Sequence, residues 1–164
     1  MNNIRIRVMK QEDLKPLANV YCRAYAEMNV GEGWDRKSAH RLIAYWFNRQ
    51  PDLSFTAEYE RKIAGAFLAG IKPWWDGNHL VDGEIFVDPA FQGRGIGREL
   101  SRRMYQAALN KYDAKYFDAI TFKTREFPLK WYKSLGFKEI ENWTIISGDI
   151  KKALGILNRP KNSL

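Results

Sequence analysis

A chain of 164 residues, 45% hydrophobic and 14% aromatic, has the length for one domain with a buried core and too much apolar content for disorder. No apolar run approaches the roughly eighteen residues of a membrane span, and the single cysteine, Cys22, excludes an internal disulfide. The formal net charge of +8 favours anionic partners in general, nucleic acid or a phosphorylated cofactor, without choosing between them.

The opening segment MNNIRIRVMKQEDL has no apolar block of the signal-peptide kind, and a lone thiol suits a reducing compartment, so a cytoplasmic location is expected. Ile4, Ile6 and Val8 alternate with Arg5 and Arg7, which predicts a first strand. From Glu12 to Asn29 the residues Leu14, Leu17, Tyr21 and Tyr25 recur at helical spacing, with Asp13 at the positive end of the helix dipole. Cys22 falls inside this helix and reads as a packing residue. The run Asn29–Gly33 breaks the helix, and a second is expected over Asp35–Asn48, carrying Leu42, Ile43, Trp46 and Phe47 on one side.

Pro51 turns the chain, and strand patterns follow at Phe55–Tyr59 and Ile63–Ile71 around the polar turn Glu60-Arg61-Lys62. Asp76-Gly77 is a hairpin signal, and Leu80–Val87 the next strand, ended by Asp88-Pro89. Ile96, Leu100, Met104 and Ala107 then form one helix face. Further strands are expected at Phe117–Phe122, Phe137–Ile140 and Trp143–Ile150. A short helix at Leu129–Leu135 is capped by Gly136, and a tail from Lys151 begins as a helix and frays at Asn158. There is no repeat and no interdomain linker. The order β-α-α-β-β-β-α-β-α-β-β describes a mixed α/β single domain over residues 1–164.

The richest chemistry lies where the strand ending at Val87 hands over to a helix, in Gln92-Gly93-Arg94-Gly95-Ile96-Gly97-Arg98. Glycines let a backbone approach a ligand closely, and a helix N-terminus presents free N–H groups to an anion. A Walker loop would need Lys and then Ser or Thr after its last glycine, but Arg98 and Glu99 follow Gly97. A dinucleotide fingerprint would need a third glycine at position 98, where Arg98 stands. A pyrophosphate cradle remains, with Arg94 and Arg98 adding charge-assisted contacts.

This loop resembles the acetyl-CoA loop of the GNAT N-acetyltransferases, of the form Q/R-x-x-G-x-G/A, matched by Gln92, Gly95 and Gly97. Val87-Asp88-Pro89 ahead of it and the segment Leu129–Phe137, with Tyr132, Gly136 and Phe137 in a Y-x-x-x-G-F pattern, resemble the same family. The resemblance implies a mostly antiparallel central sheet flanked by helices and an acetyl-CoA-dependent N-acetyltransferase acting by direct attack. It also implies a cofactor held by Phe86, Val87, Gln92, Gly93, Arg94, Gly95, Ile96, Gly97 and Arg98, its pantetheine on main-chain groups near Phe86 and Val87. Tyr132 matches the tyrosine whose hydroxyl approaches the sulfur, and is the expected general acid. Glu84 and Asp82 lie two apart, so both project from one strand face as candidate bases, with Glu84 preferred because it sits nearer the cofactor end. Arg125 stands where many relatives carry asparagine, and Pro128 where they carry alanine. Arg102 and Arg103 are further candidates for a phosphate contact.

The acceptor side is expected between the first two helices, where Glu27, Glu32, Trp34 and Asp35 make an acidic and aromatic stretch in a basic chain. Such a patch suits a small cationic amine, polyamine-like or aminoglycoside-like. A protein N-terminus or lysine is the alternative acceptor, and Trp74-Trp75 a second candidate wall. No metal is called for, and a homodimer is left open. Two other classes compete. One is a non-catalytic acyl-CoA sensor. The other is an RNA-binding protein using the arginines from Arg94 to Arg103 and the tail residues Lys151, Lys152, Arg159 and Lys161, although no RNA-binding fingerprint is present.

Overall fold

The computed structural model describes residues 3–123 and 126–158, with the side chain of Asp82 also outside the description. The expectations placed on Arg125, Arg159, Lys161 and the Asp82 carboxylate therefore lie outside the described residues. The chain divides into two compact units, residues 1–120 and 121–164.

The first unit is built on five strands in the order β1-β2-β3-β4-β5: β1 (Ile4–Val8), β2 (Ser54–Tyr59), β3 (Lys62–Trp74), β4 (Gly77–Val87) and β5 (Ala114–Asp118). Neighbours are antiparallel except β4 and β5, which run parallel. Three helices cover the sheet: α1 (Leu14–Met28), α2 (Arg36–Arg49) and α3 (Ile96–Tyr112). Side chains alternate across a strand, so β3 serves two cores. Ala66 and Leu68 join Phe86 under Leu17, Tyr21 and Ile43 of α1 and α2, while Phe67 and Ala69 meet Leu100 and Met104 of α3 on the opposite face.

Local chemistry sets the helix ends. Asn29 takes a left-handed conformation (φ 47°) and returns its N–H to the Tyr25 carbonyl, closing α1. The Asp35 carboxylate accepts from the Ser38 amide at 2.7 Å, and the Ser38 hydroxyl accepts from the Asp35 amide at 3.1 Å, a reciprocal cap on α2. Asp13, only 2% exposed, accepts two bonds from Arg7 at 2.6 and 2.8 Å and one from the Lys10 amide at 2.8 Å. That network ties β1 to the start of α1.

One irregularity shapes β4. Leu68 pairs with Glu84 and Gly70 with Val81, so Ala69 alone faces two residues, Asp82 and Gly83. This is a β-bulge, which bends and twists the strand that carries it. A Cβ on Gly83 would stand 1.5 Å from the Leu68 carbonyl oxygen, so glycine is required there. On its other edge β4 pairs with β5 only from Asn78 to Val81. Beyond the bulge, residues 84–87 have no strand partner on that side among the described residues.

The fifth expected strand begins earlier than the pattern suggests, at Ala114 rather than Phe117, and stops at Asp118. Asp113 (φ 50°) ends α3, and Ala114 opposite Asn78 opens the ladder at once, which leaves the residues after Asp118 outside it.

The second unit contains α4 (Glu126–Ser134) and α5 (Ile150–Leu157). Phe127 is extended (φ −97°, ψ 135°), so regular helix in α4 starts after it. Gly136 (φ 89°) follows α4 and donates to the Lys133 carbonyl at 3.0 Å, the expected cap. The strands expected at 137–140 and 143–150 are not formed, since both stretches are irregular and Ile150 instead starts α5. Alternating apolar residues make a strand only when a ladder pairs them, and none does so here among the described residues. No helix of the described residues is long and apolar enough to cross a membrane.

Candidate active site

Beyond Val87 the chain turns through Pro89–Phe91 and enters the glycine loop. Asp88 fixes the entry. It is 6% exposed, its amide donates to the Ala64 carbonyl at 2.8 Å, and its carboxylate accepts from Arg23 and from the Ala90 amide. The side-chain amide of Gln92 donates back to the Val87 carbonyl at 3.1 Å. Gly95 caps α3 in a left-handed conformation (φ 84°) with no side-chain acceptor, and the first intrahelical bond runs from Glu99 N–H to Gly95 O. The amides of Ile96, Gly97 and Arg98 precede that bond, at the positive end of a 17-residue helix. A Cβ added to Gly93, Gly95 or Gly97 would meet nothing within 4 Å, so the loop presents bare backbone. Arg94 lies over the Tyr59 ring at 5.0 Å, and Arg98 is exposed. These residues fit a pyrophosphate-bearing cofactor.

The main chain of β4 separates into two sides. The Asp88 amide bonds Ala64, so by alternation Phe86 and Glu84 point their peptide groups at β3, and Ile85 and Val87 point theirs at the open edge. Of the two residues expected to bind pantetheine, Val87 offers its main chain to that edge, and Phe86 contributes a side chain to the opposite core. Ile85, not named among the candidate residues, offers its main chain to the same edge, as alternation from Asp88 requires.

Glu84 projects with Phe86 onto the face covered by α1. Its Oε2 accepts from the hydroxyls of Tyr21 and Tyr25, each at 3.1 Å. Those rings stack at 4.4 Å, Trp34 packs edge-on to Tyr21 at 5.1 Å, and Phe86 does so at 5.0 Å. Trp34 in turn donates its indole N–H to Glu32 at 2.7 Å. Burial first, and then the Glu84 charge, push both phenols well above the ordinary tyrosine range, so both remain donors. Glu84, Trp34 and Glu32 are thus joined through two tyrosines that sequence reasoning took only as a helix face. Their i, i+4 spacing was the available signal. Glu27 is exposed on the last turns of α1. Trp75 is 87% exposed, and the Lys72 ammonium lies over the Trp74 ring at 3.8 Å.

In the second unit Tyr132 is buried on α4, between the rings of Trp131 at 5.0 Å and Phe137 at 5.3 Å. Its carbonyl accepts from the Leu135 and Phe137 amides, so the Y-x-x-x-G-F segment closes on itself. Among the described residues there is no group of three or more His, Cys, Asp or Glu arranged to hold a metal.

The description "Acetyltransferase (GNAT) family" matches residues 14–137. An uncharacterized N-acetyltransferase of Methanocaldococcus jannaschii is 29% identical over 140 residues, 83% of this chain and 61% of the relative, so the chain spans less than two thirds of the curated relative it matches. A crystal structure from Pyrococcus horikoshii is similar at 28% identity and a TM-score of 0.69, over 87% of this chain and 93% of that one. An aminoglycoside N-acetyltransferase in complex with CoA shares the fold at 21% identity and a TM-score of 0.67, over 88% of this chain and 94% of that one. The chain belongs to the GNAT family of acetyltransferases.

Proposed function

We propose that this protein transfers an acetyl group from acetyl-CoA to the primary amine of a small cationic acceptor, polyamine-like or aminoglycoside-like. The observation that carries the reading is the position of Glu84: three residues before Val87 on β4, held by two tyrosines within a cluster of Tyr21, Tyr25, Trp34 and Phe86. Aromatic faces beside a carboxylate attract an ammonium ion, and Glu32 at the rim of the cluster adds to the field. The same carboxylate is then in place to take the proton that the amine must lose before it can attack.

When bound, acetyl-CoA supplies the thioester whose acetyl group is passed on. The amides of Ile96, Gly97 and Arg98 and the guanidinium groups of Arg94 and Arg98 hold its pyrophosphate. The outward main-chain groups of Ile85 and Val87 orient its pantetheine arm. A backbone N–H fixed there and aimed at developing negative charge is worth about 3 kcal/mol. Tyr132, matched to the family tyrosine, would supply the proton that the departing thiolate takes up. The family match running from residue 14 to 137 supports treating both units as one acetyltransferase domain.

The test is release of free CoA from acetyl-CoA in the presence of spermidine, kanamycin and an N-terminal peptide, with acetyl-CoA binding followed by calorimetry. Turnover with a small polycation and loss of it in Glu84→Gln support the reading. Turnover with the peptide alone overturns the acceptor assignment, and absence of acetyl-CoA binding by folded protein overturns the reading of the loop.

A further inference from the structure

The carboxylate of Glu84 is held by two donors from one helix. The hydroxyls of Tyr21 and Tyr25, one helical turn apart on α1, converge on the same oxygen, Oε2, at 3.1 Å each. Both donors come from far along the chain, 63 and 59 residues before the carboxylate. Neither ring is free to turn away. Tyr21 is 1% exposed, stacked on Tyr25 and wedged edge-on between Trp34 and Phe86. Phenylalanine would fill the same space at both positions, so what the two tyrosines add is the pair of hydroxyls.

We propose that Tyr21 and Tyr25 are positioning residues that clamp Glu84 in one rotamer and in its ionised form, setting the pH at which it accepts the acceptor's proton. The proposal rests on the reading of Glu84 as the base. Hydrogen bonds donated to a carboxylate favour its charged form, and two donors on one oxygen oppose rotation of the group. Tyr21 and Tyr25 face Glu84 from α1, and Glu32 of the α1–α2 segment acts on Tyr25 through its charge. Leu68, the partner of Glu84 on β3, carries no charge. The two hydroxyls donated to Oε2 favour the charged form of Glu84.

The test uses the full chain and two independent readouts. One is the titration midpoint of the Glu84 carboxyl, followed by carbon NMR on protein labelled at the glutamate side-chain carboxyl and assigned with Glu84→Gln. The other is the acid limb of kcat/KM against pH, with spermidine and kanamycin as acceptors. Tyr21→Phe and Tyr25→Phe each raise the Glu84 midpoint by about 0.5–1 pH unit, and the double variant raises it further. The acid limb moves to higher pH by the same amount, while acetyl-CoA affinity by calorimetry stays within about twofold of the parent. Tyr25 is less buried than Tyr21, so Tyr25→Phe alone carries the test if Tyr21→Phe melts early. A midpoint that does not move in any of these variants overturns the clamp, even where Glu84→Gln is inactive. A midpoint that moves while the acid limb stays fixed removes Glu84 as the base and, with it, the catalytic purpose of the clamp.

Discussion

The side-chain amide of Gln92 donates to the main-chain carbonyl of Val87 at 3.1 Å, bridging the turn between the sheet and the glycine loop. This residue belongs to the loop motif, yet the bond it makes is internal. It fixes the loop against the open edge of β4 before any ligand arrives. Gln92→Ala therefore weakens acetyl-CoA binding by loosening the loop, not by removing a group that touches the cofactor. An exposed hydrogen bond of this kind contributes about 0.5–1 kcal/mol, or roughly two- to fivefold in affinity. Calorimetry with acetyl-CoA checks it, and an unchanged dissociation constant removes Gln92 from the cradle.

Gly95 offers a sharper probe of the same cradle. At φ 84° a side chain is strained, and its Cβ would enter the open side of the loop, where nothing lies within 4 Å. Gly95→Ala costs about 1–2 kcal/mol in backbone strain, and the methyl also stands where the pyrophosphate is proposed to lie. Affinity for acetyl-CoA should fall at least tenfold, with a modest drop in melting temperature. Gly33→Ala is the control, because Gly33 has open space around it and no left-handed backbone. Equal effects at the two positions would contradict the assignment of the loop.

The loop and α3 were legible because their signals are local: glycine spacing, and a 3.6-residue apolar period from Ile96 to Ala107. Glu84 was legible as a carboxylate on the cofactor strand, but its partners were not. Tyr21 and Tyr25 announce only the buried face of a helix until the sheet brings Glu84 under them. The bulge at Gly83 left a trace, a glycine inside a strand pattern, that went unread. Trp143–Ile150 failed in the opposite direction. Its alternation is local, but a ladder is a property of two segments, and the chain gave no sign that the partner was missing.

Asp13 predicts how the first unit responds to acid. Burial alone would raise its pKa, but the bonds from Arg7 and the Lys10 amide outweigh that and hold it below the ordinary carboxylate value. A lowered folded pKa contributes stability that is present above the unfolded pKa, near 3.9, and is lost as pH falls through the folded value. Asp13→Asn leaves Arg7, a fifth of whose side chain is exposed, with Glu58 alone among its acidic partners here. Loss of a largely buried pair of this kind costs roughly 3 kcal/mol at pH 7. Urea denaturation at pH 7 and pH 3 should show the gap between parent and variant shrinking at the lower pH. A gap independent of pH would deny that Asp13 is charged in the folded protein.

Tyr132→Phe separates chemistry from binding. The ring packs between Trp131 and Phe137, contacts that phenylalanine keeps. If the hydroxyl supplies the proton for the thiolate, kcat falls by about 10²- to 10⁴-fold while acetyl-CoA affinity stays nearly intact. Stopped assays of CoA release, with calorimetry on the same preparation, distinguish the two. Unchanged turnover takes Tyr132 out of the mechanism.

His79 closes the sheet on the other side of the bulge. Its Nδ1 meets Asp118 of β5 at 2.7 Å, and its Nε2 meets Asp76 of the β3–β4 turn at 2.9 Å, with the imidazole 7% exposed. Burial by itself lowers the pKa of the ring, but bonds to Asp118 and then Asp76 reverse this and raise it above the ordinary histidine value. A histidine whose folded pKa is raised contributes stability that is fully present below its unfolded pKa, near 6.5, and is lost as pH rises through the folded value. The two contacts tie β4 to Asp118 of β5 and to the β3–β4 turn along the segment Asn78–Val81, immediately before β4 bends away to leave the edge at Ile85 and Val87 open. In His79→Gln the melting temperature should fall most at pH 5–6, and the gap to the parent should narrow by pH 9. A melting difference that is flat from pH 5 to pH 9 would mean that the imidazole is held by packing alone and that its two carboxylates do not keep it charged.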